Sequence, residues 1–307
     1  MRLAAVSVDL DEIPNYFNIH GLPPPEGAAK DAVYDLALER LDRFARAHDL
    51  PLTLFVIGGD VARPQNAERL RALAAAGHEL GNHSRDHLYD LTRRSRMEMA
   101  RQVRHAADAI ERSCGQRPIG FRAPGYTVTD ELFEVLADCD VRYDSSVFPS
   151  PAYYLAKAAA LAGIRLRRRR SQSLLDTPAV LRAPLEPYSV GKPYWTRGGG
   201  LLELPIQVTS GLRLPYIGTA LTLAGPERAR WLTRGVLGSK LVNLELHGID
   251  VLDAADGLEA LRRHQPDVRV AHARKLEALS AAITLLRESG YAFVRLDEAA
   301  SQFAARL

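Results

Sequence analysis

The stretch GHELGNHSRDH, residues 77–87, holds three histidines, a glutamate and an aspartate. His83 and His87 are four apart, and on a helical turn residues i and i+4 project from one face, about 5–6 Å apart at Cβ. Two imidazoles so placed can reach one cation. Elsewhere the chain carries Asp9 and Asp11 separated by Leu10, Arg122 in the segment GFRAP, and His247 at the end of the apolar run LVNLELH. Two histidines with one carboxylate form a three-ligand set that leaves positions for a water and a carbonyl oxygen, as a hydrolytic zinc site requires. The same types also make the facial triad of a non-haem iron oxygenase. Asp9 and Asp11, two residues apart on one strand, point to the same side, so one carboxylate can bind metal while the other takes a proton from water. Amide hydrolysis further needs an acid for the departing amine, and an imidazole with a pKa near 6.5 suits that task, which favours His247. Backbone N–H groups in PGYT, residues 124–127, are candidate oxyanion donors, with Gly125 letting that backbone come close.

A scaffold has to bring these residues together. With 307 residues and 47% hydrophobic content, the chain can bury a sizeable core. Strand-like and helix-like segments alternate along it. RLAAVSVDL, LTLFVIG, GHELGNH, PIGFRAP, VRYDSSV, LLELPIQV, KLVNLELHG and YAFVRL read as strands. Helical rhythm is expected over 31–48, from Pro64 toward Ala76, over 95–113 and 129–138, from near Pro226, and over 270–289. Such alternation implies a parallel sheet with helices outside, and this many units favours a barrel over an open sheet. A single domain over 1–307 is expected, without internal repeats. Residues 148–200, with several prolines, RLRRRR and TRGGG, read as an elaborated loop insertion over one face.

On this scaffold Asp9 and Asp11 end the first strand, His83 and His87 follow the third, Arg122 ends the fourth and His247 ends LVNLELH. All fall at one rim, where the loops of a parallel barrel converge and chemistry happens. Strand ends attract polar residues in general, but that tendency predicts scattered Ser, Thr, Asn and Asp, not two aspartates, three histidines and an arginine.

SVDLDE, HSRDH, RAPGY and LELHG, in that order, resemble the successive motifs of the polysaccharide deacetylase family, carbohydrate esterase family 4. The likeness runs from residue 3 to about 300. It implies an α/β fold, a distorted (β/α) barrel, and metal-dependent removal of an N-acyl group, acetyl or formyl, from an amino sugar. In that pattern Asp9 is the catalytic base and Asp11, His83 and His87 hold a divalent metal, expected to be Zn2+. Arg122 braces the base, and His247 is the acid. The spaced Asp-x-Asp form resembles the intracellular and lipid-linked-sugar branch of the superfamily. The family's aspartate and tryptophan region that supports the catalytic histidine has no match, which leaves the support of His247 unassigned. YDSSVFP and LLELPIQV are also similar to family segments, and otherwise read as a strand-end turn and a buried strand. Allantoinase-like ureide hydrolysis on a similar barrel, and a barrel that binds sugar without turnover, are the remaining readings.

A formal net charge of +3 gives no support to a nucleic-acid partner. The start MRLAAVSVDL has too short an apolar run for a signal peptide, and no stretch reaches eighteen uninterrupted apolar residues, so a cytoplasmic protein is expected. Cys114 and Cys139 match no metal spacing and are expected as reduced thiols. GIRLRRRR, residues 163–170, has five arginines in the six positions from Arg165 to Arg170 and follows the apolar, aromatic YYLAKAAALAG. A greasy stretch beside a basic one suits a surface resting on an anionic membrane, at about 1 kcal/mol per basic residue. Guanidinium groups also fork onto phosphate. The expected partner is therefore an N-acylated amino sugar or glycolipid, with peripheral contact to an anionic inner leaflet.

Overall fold

The computed structural model describes residues 2–166, 168 and 171–306. In chain order the first half contains β1 (Arg2–Asp9), α1 (Ile13–Ile19), α2 (Leu38–Ala47), β2 (Leu52–Val56), α3 (Pro64–Ala75), β3 (Glu79–Asn82), α4 (Arg96–Cys114), β4 (Gly120–Phe121), α5 (Asp130–Ala137) and β5 (Tyr143–Asp144). Then come α6 (Pro151–Leu166), β6 (Tyr188–Val190), β7 (Arg197–Glu203), α7 (Gly218–Ala224), α8 (Pro226–Arg234), β8 (Leu241–His247), α9 (His272–Glu288), β9 (Tyr291–Phe293) and α10 (Leu296–Ala304). Local chemistry sets the helix ends. Proline stands at the first position of α3, Ser95 caps α4 by accepting from Glu98 N at 3.3 Å, and Gly115 closes α4 with φ 78°.

The strands lie in the order β6-β7-β5-β4-β3-β2-β1-β8, parallel except for the antiparallel β6–β7 pair, and β9 pairs with the start of β1. β1 and β8 share the longest register, Leu3 to Asp9 against Leu241 to His247. This sets Asp9 beside His247 at the upper rim. Because side chains alternate along a strand, Val6 and Val8 pack with the helices while Ser7 and Asp9 turn into the lumen. On β8, Asn243, Glu245 and His247 alternate in the same way with Leu244 and Leu246, which join the helix-side core.

Pro205 has no amide to continue a ladder beyond β7. The gap to β8 is bridged by the backbone bond Gln207 N to Asn243 O at 3.1 Å, by an isolated parallel bridge between Ile217 and Glu245, and by the Asn243 side chain. Its Nδ2 donates to Ser145 Oγ at 2.9 Å, Leu204 O at 3.1 Å and Pro205 O at 3.2 Å, and its Oδ1 accepts from Ser7 Oγ at 3.1 Å. A side-chain amide thus substitutes for a strand pair, and the barrel is distorted where it does so.

Several expectations are corrected. Residues 148–200, read as loop, contain regular elements among the described residues: the alanine-rich segment forms the 16-residue α6, and β6 and β7 make an antiparallel pair. Alanine's helix propensity and proline at the first position outweigh the punctuation read as loop. LLELPIQV ends as a strand at Glu203, two residues before Pro205. The helix expected over 31–48 is broken into a 3₁₀ turn, a π-helical turn at Val33–Ala37 and α2. Buried Glu12 accepts from Val33 N at 2.8 Å and Tyr34 N at 3.2 Å and so anchors that irregular start. Cys114 and Cys139 are both free and buried. Among the described residues no helix is long and apolar enough to cross a membrane.

Replacing Asn243 by leucine should strand the carbonyl of Pro205, take the acceptor from Ser7 Oγ and lower stability by about 2–3 kcal/mol. A reduced denaturation midpoint with unchanged slope checks this; a midpoint equal to the parent's would show that the side chain does not close the barrel.

Candidate active site

β1 ends at Asp9 and the chain continues through Asp11, while the loop after β3 supplies His83 and His87. Asp11 Oδ1 lies 3.1 Å from His83 Nε2 and 3.1 Å from His87 Nε2, and the two imidazole nitrogens are 3.2 Å apart. The i, i+4 pair is not on a helical turn. Ser84 and His87 adopt left-handed backbone, with φ 63° and φ 50°, and fold the loop back on itself. Ser84 holds that shape by accepting from His87 N at 3.2 Å through its Oγ, while its own amide donates to Asn82 Oδ1 at 2.9 Å. Non-glycine residues in this conformation are strained and tend to collect where function requires them.

His83 Nδ1 donates to Arg122 O at 2.8 Å, which fixes the tautomer and turns the Nε2 lone pair toward Asp11 and His87. Three lone-pair-bearing atoms therefore converge, and Asp11 Oδ1, though buried, has no hydrogen-bond donor. Burial opposes the charge on Asp11, but His87 and His83 hold its carboxyl well below the usual range. Ligands about 2.0–2.2 Å from one ion stand roughly 3–3.5 Å from one another, so the residues present fit a divalent cation.

Beside this triad sits the buried pair Asp9 and Arg122. Arg122 Nη1 donates to Asp9 Oδ1 at 2.8 Å, Nε to Ser145 O at 2.7 Å, and Nη2 to Ser7 Oγ at 2.9 Å and Ser145 Oγ at 2.8 Å. The guanidinium also lies over the Phe55 ring, 4.2 Å from its centroid. Burial disfavours its charge, yet Asp9 and Glu245 raise its pKa above the ordinary value. Asp9 Oδ2 has no hydrogen-bond partner among the described residues and lies 4.0 Å from His83 Nε2.

Next to Asp9, on the neighbouring strand, stands His247, whose Nδ1 makes a 2.8 Å ion-pair contact with Glu245 Oε1 and whose Nε2 is 3.4 Å from the Tyr126 hydroxyl. Burial works against its charge, but Glu245, with Asp9 and Asp11 further off, holds the imidazole well above its usual range. Glu245 was not among the expected site residues. Its signal is the period of two in LELHG, which puts Glu245 and His247 on the same face of β8.

Asp9, Asp11, His83 and His247 line one cavity of about 560 Å³, with His87 and Arg122 behind them. Tyr16, Tyr89, Tyr126 and Tyr153 give it aromatic walls. α6 forms one side through Ala152, Ala156 and Lys157. Lys157 Nζ donates to Gly125 O at 2.8 Å, fastening α6 to the RAPGY turn, and burial pushes its pKa down to about 8. The Tyr126 amide, expected as a free oxyanion donor, is already used inside that turn, donating to Ala123 O at 3.0 Å. Gly125 has φ 64°, and a Cβ there would come within 3.0 Å of the Tyr89 ring, so the turn requires glycine.

A family model described as polysaccharide deacetylase matches residues 24–143, a stretch that includes His83, His87 and Arg122. The chain is 36% identical over 102 residues to a chitooligosaccharide deacetylase of Sinorhizobium fredii (strain NBRC 101917 / NGR234), covering 33% of this chain and 45% of that protein. A chitooligosaccharide deacetylase of Bradyrhizobium sp. (strain ANU 289) is 41% identical over 78 residues, 25% of this chain and 34% of its own length. The chain thus spans less than half the length of the curated relatives it matches. Among solved structures, a probable polysaccharide deacetylase from Pseudomonas aeruginosa PAO1 superposes with a TM-score of 0.59 at 16% identity, over 97% of this chain and 89% of that one. The shared feature there is the fold.

Since Glu245, together with Asp9 and Asp11, outweighs burial in holding a proton on His247, Glu245→Gln should move the His247 titration to lower pH. Imidazole NMR against pH reads this directly. An unchanged midpoint would remove Glu245 as the partner.

Proposed function

We propose that the chain is a member of the polysaccharide deacetylase family, whose model it matches over residues 24–143, and that it is a metal-dependent hydrolase that removes an acetyl or formyl group from the nitrogen of an amino sugar. The observation that carries this reading is the convergence, in one cavity, of Asp11, His83 and His87 with the unpartnered Asp9 Oδ2 and with His247. Asp11, His83 and His87 would hold the cation, and their two nitrogens and one oxygen suit Zn2+. A cation bound there lowers the pKa of a water and polarises the acyl carbonyl.

The remaining steps belong to side chains. Asp9 Oδ2 takes the proton from the attacking water, while Arg122 holds Oδ1 and so aims the free oxygen into the cavity. His247, kept protonated beside Glu245, gives its proton to the nitrogen as the C–N bond breaks, releasing the carboxylic acid and a free amine. The tyrosine walls exclude bulk water from the reacting carbonyl. An oxygenase would use the triad but has no need of a nearby carboxylate base and a separate imidazole acid, so hydrolysis accounts for more of the site.

The reading extends to a sugar carried on a lipid. α6 supports it: the helix that walls the cavity leaves Leu155 67% and Leu166 84% exposed, next to the arginine-rich segment. Of that segment Arg167, Arg169 and Arg170 lie outside the described residues. An apolar helix with adjoining basic charge suits peripheral attachment to an anionic membrane.

Metal content and turnover should separate the roles. His83→Ala should lose most bound divalent metal, whereas Asp9→Asn should keep it and lose roughly a hundredfold or more in kcat. Full occupancy in His83→Ala would defeat the ligand assignment. For the membrane, changing Arg167 to Arg170 to serine should reduce co-sedimentation with anionic vesicles, and unchanged sedimentation would end that part of the reading.

A further inference from the structure

Beyond the first cavity along α6 lies a second, of about 260 Å³, lined by His20, Ala160, Gly163, Ile164, Arg263 and His264. Three separate elements contribute neighbouring residues to both spaces. The end of α1 gives Ile19 to the first and His20 follows into the second; α6 gives Lys157 and then Ala160; the segment after residue 262 gives Gln265 and then His264. Where they meet, His20 Nε2 and Gln265 Oε1 are 3.1 Å apart. The two cavities therefore read as successive parts of one groove, separated by a single polar contact.

The second part differs in chemistry from the first. Its side-chain donors are His20, Arg263 and His264, and among the described residues no carboxylate lines it. Arg262, one residue earlier, pairs with Glu259 at 3.2 Å, whereas Arg263 is exposed and has no ion-pair partner among the described residues. The facing wall of α6 is small-sided, and a Cβ at Gly163 would meet nothing within 4 Å. Six residues of helix, about 9 Å along the axis, separate Lys157, which lines the first cavity, from Gly163, which lines the second, a span comparable to a sugar ring with its substituents.

We propose that the cavity at His20, Arg263 and His264 is a subsite for a phosphate borne by the substrate, on the side of the sugar away from the acylamino group. A guanidinium forks onto phosphate, and donors arriving from two elements suit its several peripheral oxygens better than a planar carboxylate. For its substrate the proposal rests on the deacylase reading above; its binding test does not.

The test compares the metal-loaded parent with Arg263→Ser, whose exposed site leaves the fold intact. Binding of inorganic phosphate, followed by phosphorus NMR, should weaken about tenfold in the variant, the loss expected from one charge-assisted hydrogen bond. Equal binding overturns the subsite whether or not the protein turns over any sugar. In kinetics, the variant should raise KM about tenfold for N-acetylglucosamine 1-phosphate and leave N-acetylglucosamine unchanged, while equal effects on both sugars overturn it. Competition by phosphatidylcholine vesicles with and without phosphatidic acid names the source. Displacement of inorganic phosphate only by phosphatidic acid, and only from the parent, supports a lipid-borne group. No displacement, with the Arg263-dependent phosphate binding retained, supports a soluble one.

Discussion

Arg122 carries its charge with no exposed surface, in a part of the barrel lumen where serine, asparagine and carboxylate side chains surround it above an apolar layer that includes Leu3, Ala5 and Phe55. Burying a guanidinium is tolerable only if its donors are satisfied and an opposite charge is close, and both conditions are met by Asp9, Ser7 and Ser145. The same residue offers its backbone oxygen to His83. One side chain and its own carbonyl thereby fix a proposed base and a proposed metal ligand relative to each other, across β1, β3 and β4.

The polar lumen also explains how the sheet can be irregular and still hold. Ser145 accepts from Arg122 and from Asn243 and donates to Leu204 O at 2.9 Å, so the guanidinium and the closure of the barrel share a hydroxyl. Lower down, burial and the nearby Asp144 push the Glu203 carboxyl well above its usual range, and it accepts from Val147 N at 3.0 Å.

The six residues singled out by type and spacing came together because each ends a strand or follows one, and the rim of a parallel barrel is where such positions meet. Period-two and apolar-run signals are local, and they located most of the sheet. What they did not reveal depends on partners far away in the chain. The role of Asn243 rests on carbonyls about forty residues off, and nothing local marks an asparagine as a substitute for a strand. The fold of the His83 loop depends on left-handed backbone at Ser84 and His87, which neither residue type announces. α6 was obscured by the prolines and arginines around it, although its alanines favour a helix. With α6 went Lys157, whose bond to Gly125 exists only once the helix has docked.

The cavity is built from two kinds of material. Its reacting side consists of strand termini locked by buried bonds, whereas its far side is made by α6, the end of α1 and the segment around Gln265, which belong to no strand. Substitutions on the far side can reshape what fits without disturbing a single contact of Arg122. Chains sharing this barrel can therefore diverge in substrate while inheriting the same reacting groups, and preference for one sugar over another becomes a property of the wall rather than of the floor.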